Sequence, residues 1–230
     1  MKVLAIIPAR GGSKGIPRKN IRSMLGKSLV QRTFETVSQS KLLDRIILST
    51  DDKLIADHGK DCGLDVPFIR PSQLASDNSP MIGVIFHALE TLKEVENYKP
   101  DSVMILQPTS PLRKPEHIDK AIMLLKDNDA VCSLVQTPMI MSPYYAMKIT
   151  DEGYVDYFLD EGQKIKRRQD VPKTYLRDGT TYLTTIKALY KYKDFYGNGK
   201  SCIPMLIPNE ESLSIDTLED WALAEEKLSK

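Results

Sequence analysis

Lys2-Val3-Leu4-Ala5-Ile6-Ile7-Pro8-Ala9-Arg10-Gly11-Gly12-Ser13-Lys14-Gly15-Ile16-Pro17-Arg18-Lys19-Asn20 opens the chain. Lys2–Ile7 reads as a short buried strand, because its apolar run is continuous and ends at Pro8. Residues 8–20 are then a loop with three glycines and two prolines. A loop at the carboxyl end of a first strand is where open α/β sheets bind ligands. Glycines let the backbone approach an anion, and consecutive N–H groups form a concave anion nest. Arg10, Lys14, Arg18 and Lys19 add charge suited to a triphosphate. The P-loop pattern G-x-x-x-x-G-K-[ST] and the dinucleotide pattern G-x-G-x-x-G are both absent. On residue types alone, a surface loop with solvated charges fits as well.

The segments that follow carry the fold. Ser28–Leu42 reads as a helix with Leu29, Val30, Phe34 and Val37 on one face. Arg45–Leu48 is a strand running into Ser49-Thr50-Asp51-Asp52, a helix start, since Asp side chains accept from free backbone N–H groups. Leu54–Cys62 is a helix stopped by Gly63, and Val66–Ile69 a short strand. Pro80–Val95 and Pro115–Leu125 read as helices, Ser102–Leu106 and Ala130–Val135 as strands. This alternation predicts a mostly parallel sheet with helices on both faces.

The pattern changes at residues 137–180, which hold three prolines, several tyrosines and a polar turn at Asp151-Glu152-Gly153. That stretch reads as an inserted arm of hairpins. Thr180–Thr185 and Cys202–Ile207 are strands. Thr217–Leu228 is a final helix, capped by Asp216 or Thr217. No repeat, low-complexity tract or flexible linker divides the chain, so a single α/β domain, 1–230, is expected.

The chain has 230 residues, with 32 Lys plus Arg against 31 Asp plus Glu, a net charge of +1. That balance argues against nucleic-acid binding through bulk positive charge. Hydrophobic residues make up 41%, too many for disorder. The charge is uneven along the chain: residues 1–34 hold eight bases and no acid, and residues 209–230 hold seven acids and two bases. The opening apolar run is too short for a signal peptide or a membrane span, so the protein is expected in the cytoplasm, off the membrane. Cys62, Cys132 and Cys202 lie far apart with no CxxC, which suits a reducing compartment and offers no metal-site spacing. His58, His87 and His117 form no ligand motif either.

The string Ile7–Asn20 closely resembles the nucleotide-binding signature of CMP-acylneuraminate synthetases (acylneuraminate cytidylyltransferases). Five further segments agree with that family in order: Ser49–Asp52, Arg70-Pro71 with Leu74–Asp77, Leu106–Arg113, Arg168-Gln169 and Ile215–Thr217. The resemblance implies a nucleotide-diphosphosugar-transferase-like fold. It also implies an enzyme that joins CTP to a nine-carbon 2-keto acid sugar with Mg²⁺, releasing pyrophosphate. A homodimer is implied too, with its arm reaching toward the partner's site; residues 137–165 are the expected dimer arm.

By the same resemblance, Arg10, Ser13 and Lys19 contact the CTP phosphates, and Gly11 and Gly12 supply backbone donors. Asn20 and Arg70 hold the cytidine. Gln107, Ser110, Arg168, Gln169 and Tyr182 serve the sugar, with Arg168 suited to bidentate carboxylate binding. Arg113 is a further candidate there. Lys19, Arg10 and Asp216 carry the catalytic charge. Asp216 matches a metal-ligand aspartate of the family's Asp-x-Asp pair, and Asp220 is the candidate second carboxylate. The chain departs from the family at Ser214, where the first Asp of that pair is expected. It departs again at Asp178, where Asn is usual and where a carboxylate could alter sugar choice. The remaining alternatives are a non-catalytic nucleotide- or sugar-binding regulator and a legionaminate- or pseudaminate-type sugar.

Overall fold

The computed structural model describes residues 1–196 and 201–230. Its strands are β1 (Val3–Pro8), β2 (Ser23–Met24), β3 (Lys27–Ser28), β4 (Arg45–Ser49), β5 (Ser102–Ile105), β6 (Ala130–Gln136), β7 (Met147–Ile149), β8 (Val155–Tyr157), β9 (Tyr175–Thr185) and β10 (Cys202–Ile207). Its helices are α1 (Leu29–Val37), α2 (Lys53–Asp61), α3 (Met81–Glu96), α4 (Pro115–Leu125), α5 (Ile186–Tyr192) and α6 (Leu218–Leu228). Six strands form the central sheet in the order β10-β6-β9-β5-β1-β4. Five run parallel; β9 runs antiparallel between β5 and β6.

Alternation along β1 explains the layering. Val3, Ala5 and Ile7 face a cluster with Val30 and Val37 of α1 and Ile118, Ala121 and Leu125 of α4. Leu4 and Ile6 face the other way, onto Ile85, Ala88 and Leu92 of α3. Successive side chains of a strand point to opposite faces, so a strand covered on both sides must be apolar throughout.

A third cluster matters most for the site. Ile16, from the loop after β1, is buried with Met24, Leu29, Ile215, Trp221 and Ala224. Burying a side chain of this size is worth about 1.5–3 kcal/mol. The basic loop is thereby fastened to the C-terminal helix rather than left loose on the surface.

Four elements differ from the expected ones, and the structure decides one open cap. Helix α1 ends at Val37, because the side chains of Ser38 and Gln39 both donate back to the Glu35 carbonyl and compete for its helical bond. Val66–Ile69 is not a strand: only Asp65 bridges to Ile47, and Pro67 has no N–H to continue a ladder. Helix α5 had no expectation; Thr185 caps it by accepting from the Ala188 N–H. Strand β9 begins at Tyr175, so the arm closes earlier than residue 180. Helix α6 is capped by Thr217, not Asp216.

The arm contains the β7–β8 hairpin, with Gly153 in the left-handed region at its turn (φ +83°). It exposes Ile140 and Ile149 by 80% and 79%, along with Met141, Tyr154, Val155 and Phe158. Among the described residues, no helix is long and apolar enough to cross a membrane.

Candidate active site

The loop after β1, the Arg70–Met81 segment, the end of β5 and the start of α6 enclose a cleft of about 430 Å³. Arg10, Ser13, Lys14, Lys19, Asn20, Arg70, Gln107 and Asp216 all line it. The structure thus brings one half of the sequence candidates together at the carboxyl end of the parallel strands, as open α/β sheets do.

Lys19 is the best-held cation. Its Nζ donates to the Ile215 carbonyl at 2.6 Å and to the Asp216 carboxylate at 3.3 Å, and its side chain is only 14% exposed. Asp216 is 73% exposed and also accepts from the Ser214 hydroxyl at 3.3 Å. The serine that replaces the expected first aspartate therefore orients the one that remains. Gly15 makes the approach possible: a Cβ there would lie 2.4 Å from the Asp216 carbonyl oxygen. Asn20 is buried and donates to the Arg10 carbonyl at 3.0 Å, which pins the loop's turn.

Arg70 is buried too. Its guanidinium stands 3.5 Å from Asp51, and its Nε has no acceptor among the described residues. Burial lowers its proton affinity, with Asp51 opposing that effect. A buried donor without an acceptor favours a ligand that supplies one. Arg10 and Lys14 both pair with Asp77, at 2.8 and 2.6 Å, and these bonds hold the Asp77 carboxyl below the usual range.

Several candidates sit elsewhere. Gly11 donates its N–H to Asp51 at 3.2 Å, and neither Gly11 nor Gly12 lines the cleft. Asp220 is a cap: its Oδ2 accepts from the Asp216 and Thr217 N–H groups at 2.9 and 2.8 Å, and these bonds lower its pKa. The cap engages one carboxylate oxygen, Oδ2, of the two that a metal could use. Ser110 is buried and donates to the Asp178 carbonyl at 3.4 Å. Arg113 is buried and donates to the carbonyls of Thr180, Gln107 and Gly179. It is a scaffold for Gln107, not a ligand contact. Asp178 is also buried, its carboxylate accepting from the Thr180 N–H and hydroxyl.

A second cavity of about 280 Å³ is lined by Met81, Ile105, Gln107, Arg177, Tyr182, Phe195 and Tyr196. Gln107 and Met81 line both cavities, so the two adjoin. Tyr182 lines this cavity, and burial raises its pKa. Arg168 and Gln169 lie in a short turn of the arm, exposed, with Arg168 against the Met139 sulfur. They line neither cavity of their own chain. Arg177 and Tyr196 were not singled out. Lys14 was read as charge for a triphosphate, while Gly15 and Asp77 lay in quoted segments without a role of their own.

Among the described residues, no cluster of three His, Cys, Asp or Glu side chains could hold a metal alone. The single exposed carboxylate of Asp216 fits a hard divalent ion whose other ligands are phosphate oxygens and waters.

Comparison with known proteins agrees with this geometry. The cytidylyltransferase family profile matches residues 4–201. The chain is 36% identical to a CMP-N,N'-diacetyllegionaminic acid synthase of Legionella pneumophila, over 98% of this chain and 95% of that one. It is 33% identical to a pseudaminic acid cytidylyltransferase of Campylobacter jejuni, over 97% and 95%. A solved CMP:2-keto-3-deoxy-manno-octonic acid synthetase complexed with CTP shares the fold, with a TM-score of 0.75 at 14% identity over 100% of this chain and 99% of that one. The basic loop docked on a C-terminal acid, the cleft it lines and the family profile converge: the chain belongs to the cytidylyltransferase family and is a nucleotidyltransferase.

Proposed function

We propose that the protein transfers CMP from CTP to an acidic nine-carbon 2-keto sugar of the legionaminate, pseudaminate or neuraminate type, releasing pyrophosphate. The observation that carries this reading is the pair of adjoining cavities. One is basic and lined by Lys19, Arg10, Lys14 and Arg70; the other is aromatic with one cation, and Gln107 stands at their junction. The relatives' names narrow the sugar class.

The reaction forms a bond from the anomeric oxygen to the α-phosphorus and breaks the bond to pyrophosphate; the hydroxyl proton leaves to solvent or a base. Positioning and charge stabilisation supply most of such a rate. Lys19, held by the Ile215 carbonyl, is preorganised to meet charge building on the phosphates. Arg10 and Lys14 exchange Asp77 for phosphate oxygens. Arg70 and Asn20 lie at the cytidine end. Asp216 would hold Mg²⁺ together with the triphosphate, and the ion would offset charge on the departing pyrophosphate.

We read the exposed apolar face of the arm as a homodimer interface, because apolar patches of this kind mark protein contacts. In that dimer Arg168 and Gln169 would serve the partner's sugar site. The three free cysteines support a cytoplasmic setting.

The test is pyrophosphate release from CTP and Mg²⁺ with a panel of diacetylated legionaminate, pseudaminate, N-acetylneuraminate and an eight-carbon 2-keto sugar. Turnover with one or more nine-carbon sugars is expected, and no release with any of them overturns the reading. Light scattering at assay concentration reports the dimer.

A further inference from the structure

Asp216 stands at the end of a connection with little regular structure. Between β10 and α6, residues 208–217 hold a single 3₁₀ turn, Asn209–Glu211. Of residues 208–220 only Ile215 is buried. Burial fixes one point of the segment, and its N–H adds a bond to the Thr109 carbonyl at 2.9 Å. Thr109 belongs to the same turn as Gln107, whose carbonyl accepts from Arg113 at 2.7 Å. One fixed point does not set a direction, so a second is needed to aim the residue that follows.

Glu211 is that second point. Its Oε2 lies 2.8 Å from His117 Nε2, and its Oε1 2.5 Å from Lys114 Nζ. His117 Nδ1 accepts from the Lys114 backbone N–H at 3.2 Å, so the ring hydrogen sits on Nε2 and is donated to Glu211. The two partners differ in worth. Lys114 is exposed, where an ion pair contributes little. His117 is buried, so its bond is shielded from water. The ring cannot turn without giving up the Lys114 N–H, which makes it a rigid donor.

Both attachments reach one support, residues 109–117 at the entry of α4. That entry is itself rigid. Pro111 and Pro115 each fix a backbone angle, and buried Arg113 donates to three carbonyls. The connection is thus clamped at Glu211 and Ile215 against the turn that also carries Gln107. Asp216 is the first residue beyond the clamp, and Lys19 binds the carbonyl of Ile215 within it.

We propose that Glu211, acting through His117, is a positioning residue for Asp216, holding that carboxylate in place for the divalent ion of the triphosphate. This rests on the reading above in which Asp216 is the metal's protein ligand. Glu211 itself touches neither nucleotide nor metal; it lines neither cavity.

The experiment is calorimetric titration of CTP without sugar, hence without turnover, read as a ratio: affinity with Mg²⁺ over affinity in EDTA. Loss of an outer partner that orients a metal ligand costs about tenfold to a hundredfold in metal affinity. Glu211→Ala and His117→Phe are each expected to lower the ratio about tenfold, with affinity in EDTA within about twofold of wild type. Glu211→Gln keeps an oxygen that accepts from His117 Nε2, so its ratio should stay within about threefold of wild type. The double variant Glu211→Ala/His117→Phe should lose no more than either single change, because both break one bond. An unchanged ratio in Glu211→Ala, or a loss in Glu211→Gln as large as in Glu211→Ala, overturns the proposal. Asp216→Ala separates it from the reading it rests on. A wild-type ratio near one, or a ratio kept in Asp216→Ala, overturns the metal assignment and the proposal together; a ratio lost in Asp216→Ala and kept in Glu211→Ala overturns the proposal alone. A partly unfolded preparation lowers the stoichiometry and leaves the ratio intact, and if Glu211→Ala does not fold, His117→Phe carries the same test.

Discussion

Lys19 and Asp216 meet at 3.3 Å across 197 positions of sequence. The contact joins the phosphate loop to the acidic end of the chain, and it exists because Ile16 is buried beside Trp221. Lys19→Ala is expected to lower kcat by about a hundredfold or more, the scale seen when one preorganised donor is lost. Asp216→Ala should raise the Mg²⁺ concentration needed for half-maximal rate about tenfold, while Ser214→Ala moves it only a few-fold. Pyrophosphate release against Mg²⁺ concentration reads all three.

Asp220 separates a metal ligand from a cap. Asp220→Ala should leave the Mg²⁺ dependence unchanged and destabilise the start of α6 by about 1 kcal/mol. Its pKa is lowered in the folded state by the Asp216 and Thr217 N–H groups. The stabilisation is therefore present above the unfolded carboxyl pKa of about 4 and is lost as pH falls through the folded value. Melting temperatures between neutral pH and about pH 3 should fall more steeply in wild type than in Asp220→Ala.

Gly15 and Gly12 lie in the same loop with opposite demands. A Cβ at Gly15 would lie 2.4 Å from the Asp216 carbonyl oxygen, a backbone atom that cannot step aside alone, whereas Gly12 has open space around it. Gly15→Ala should weaken CTP turnover by about tenfold or more through displacement of Asp216. Gly12→Ala should stay within about twofold of wild type, since nothing opposes the added methyl. Parallel kcat/KM measurements distinguish them.

Asp77 occupies Arg10 and Lys14 while CTP is absent. Removing that competing carboxylate in Asp77→Asn should lower the KM for CTP a few-fold at low ionic strength. The gap should close with added salt, because exposed charges are screened. An unchanged KM at low salt would show that Asp77 does not compete with the triphosphate.

The irregular register of β9 opposite Cys132 and Leu134 carries a stability prediction. Arg113 is buried, and burial pushes its pKa down to about 10, still charged at neutral pH. Arg113→Ala should cost about 2–4 kcal/mol in urea unfolding, since it strands buried carbonyls. Asp178→Asn should cost under about 1 kcal/mol, because an amide can still accept from the Thr180 N–H and donate to its hydroxyl. That is the physical reason either residue can stand at this position.

Much of the fold was legible because β1 is apolar throughout and the segments after it alternate in period. The direction of β9 was not: Thr180–Thr185 shows the same pattern whether it runs with its neighbours or against them. The residues expected to hold the nucleotide were concentrated in one loop and one resemblance, and Arg10, Ser13, Lys19, Asn20 and Arg70 of them line one cleft. The lining of the second cavity was not legible, because the irregular register of β9 opposite Cys132 and Leu134 changes the face of Arg177 without changing its sequence spacing. The resemblance pointed instead to Arg168 in the basic run, which the single chain leaves in the arm. The capping role of Asp220 was not legible, because a carboxylate four residues beyond Asp216 suits a metal ligand as well as a cap, and the N–H directions appear only in the structure.

The arm leaves and re-enters the sheet at one point. Gln136 pairs with Tyr175, and the Thr137 N–H donates to the Thr174 carbonyl at 2.9 Å, so its two ends are already hydrogen-bonded neighbours. Strands β6 and β9 form the neck, and the register of the sheet is set below it. Loop-closure entropy rises by only about 0.6 kcal/mol for each doubling of length. An arm hung on such a neck can lengthen, shorten or be exchanged for another at little thermodynamic cost. The fold thereby separates the part of the chain that must stay fixed to handle phosphate from the part free to diversify, and a transplant across Gln136 and Tyr175 is the natural way to carry one arm's contacts onto another enzyme's sheet.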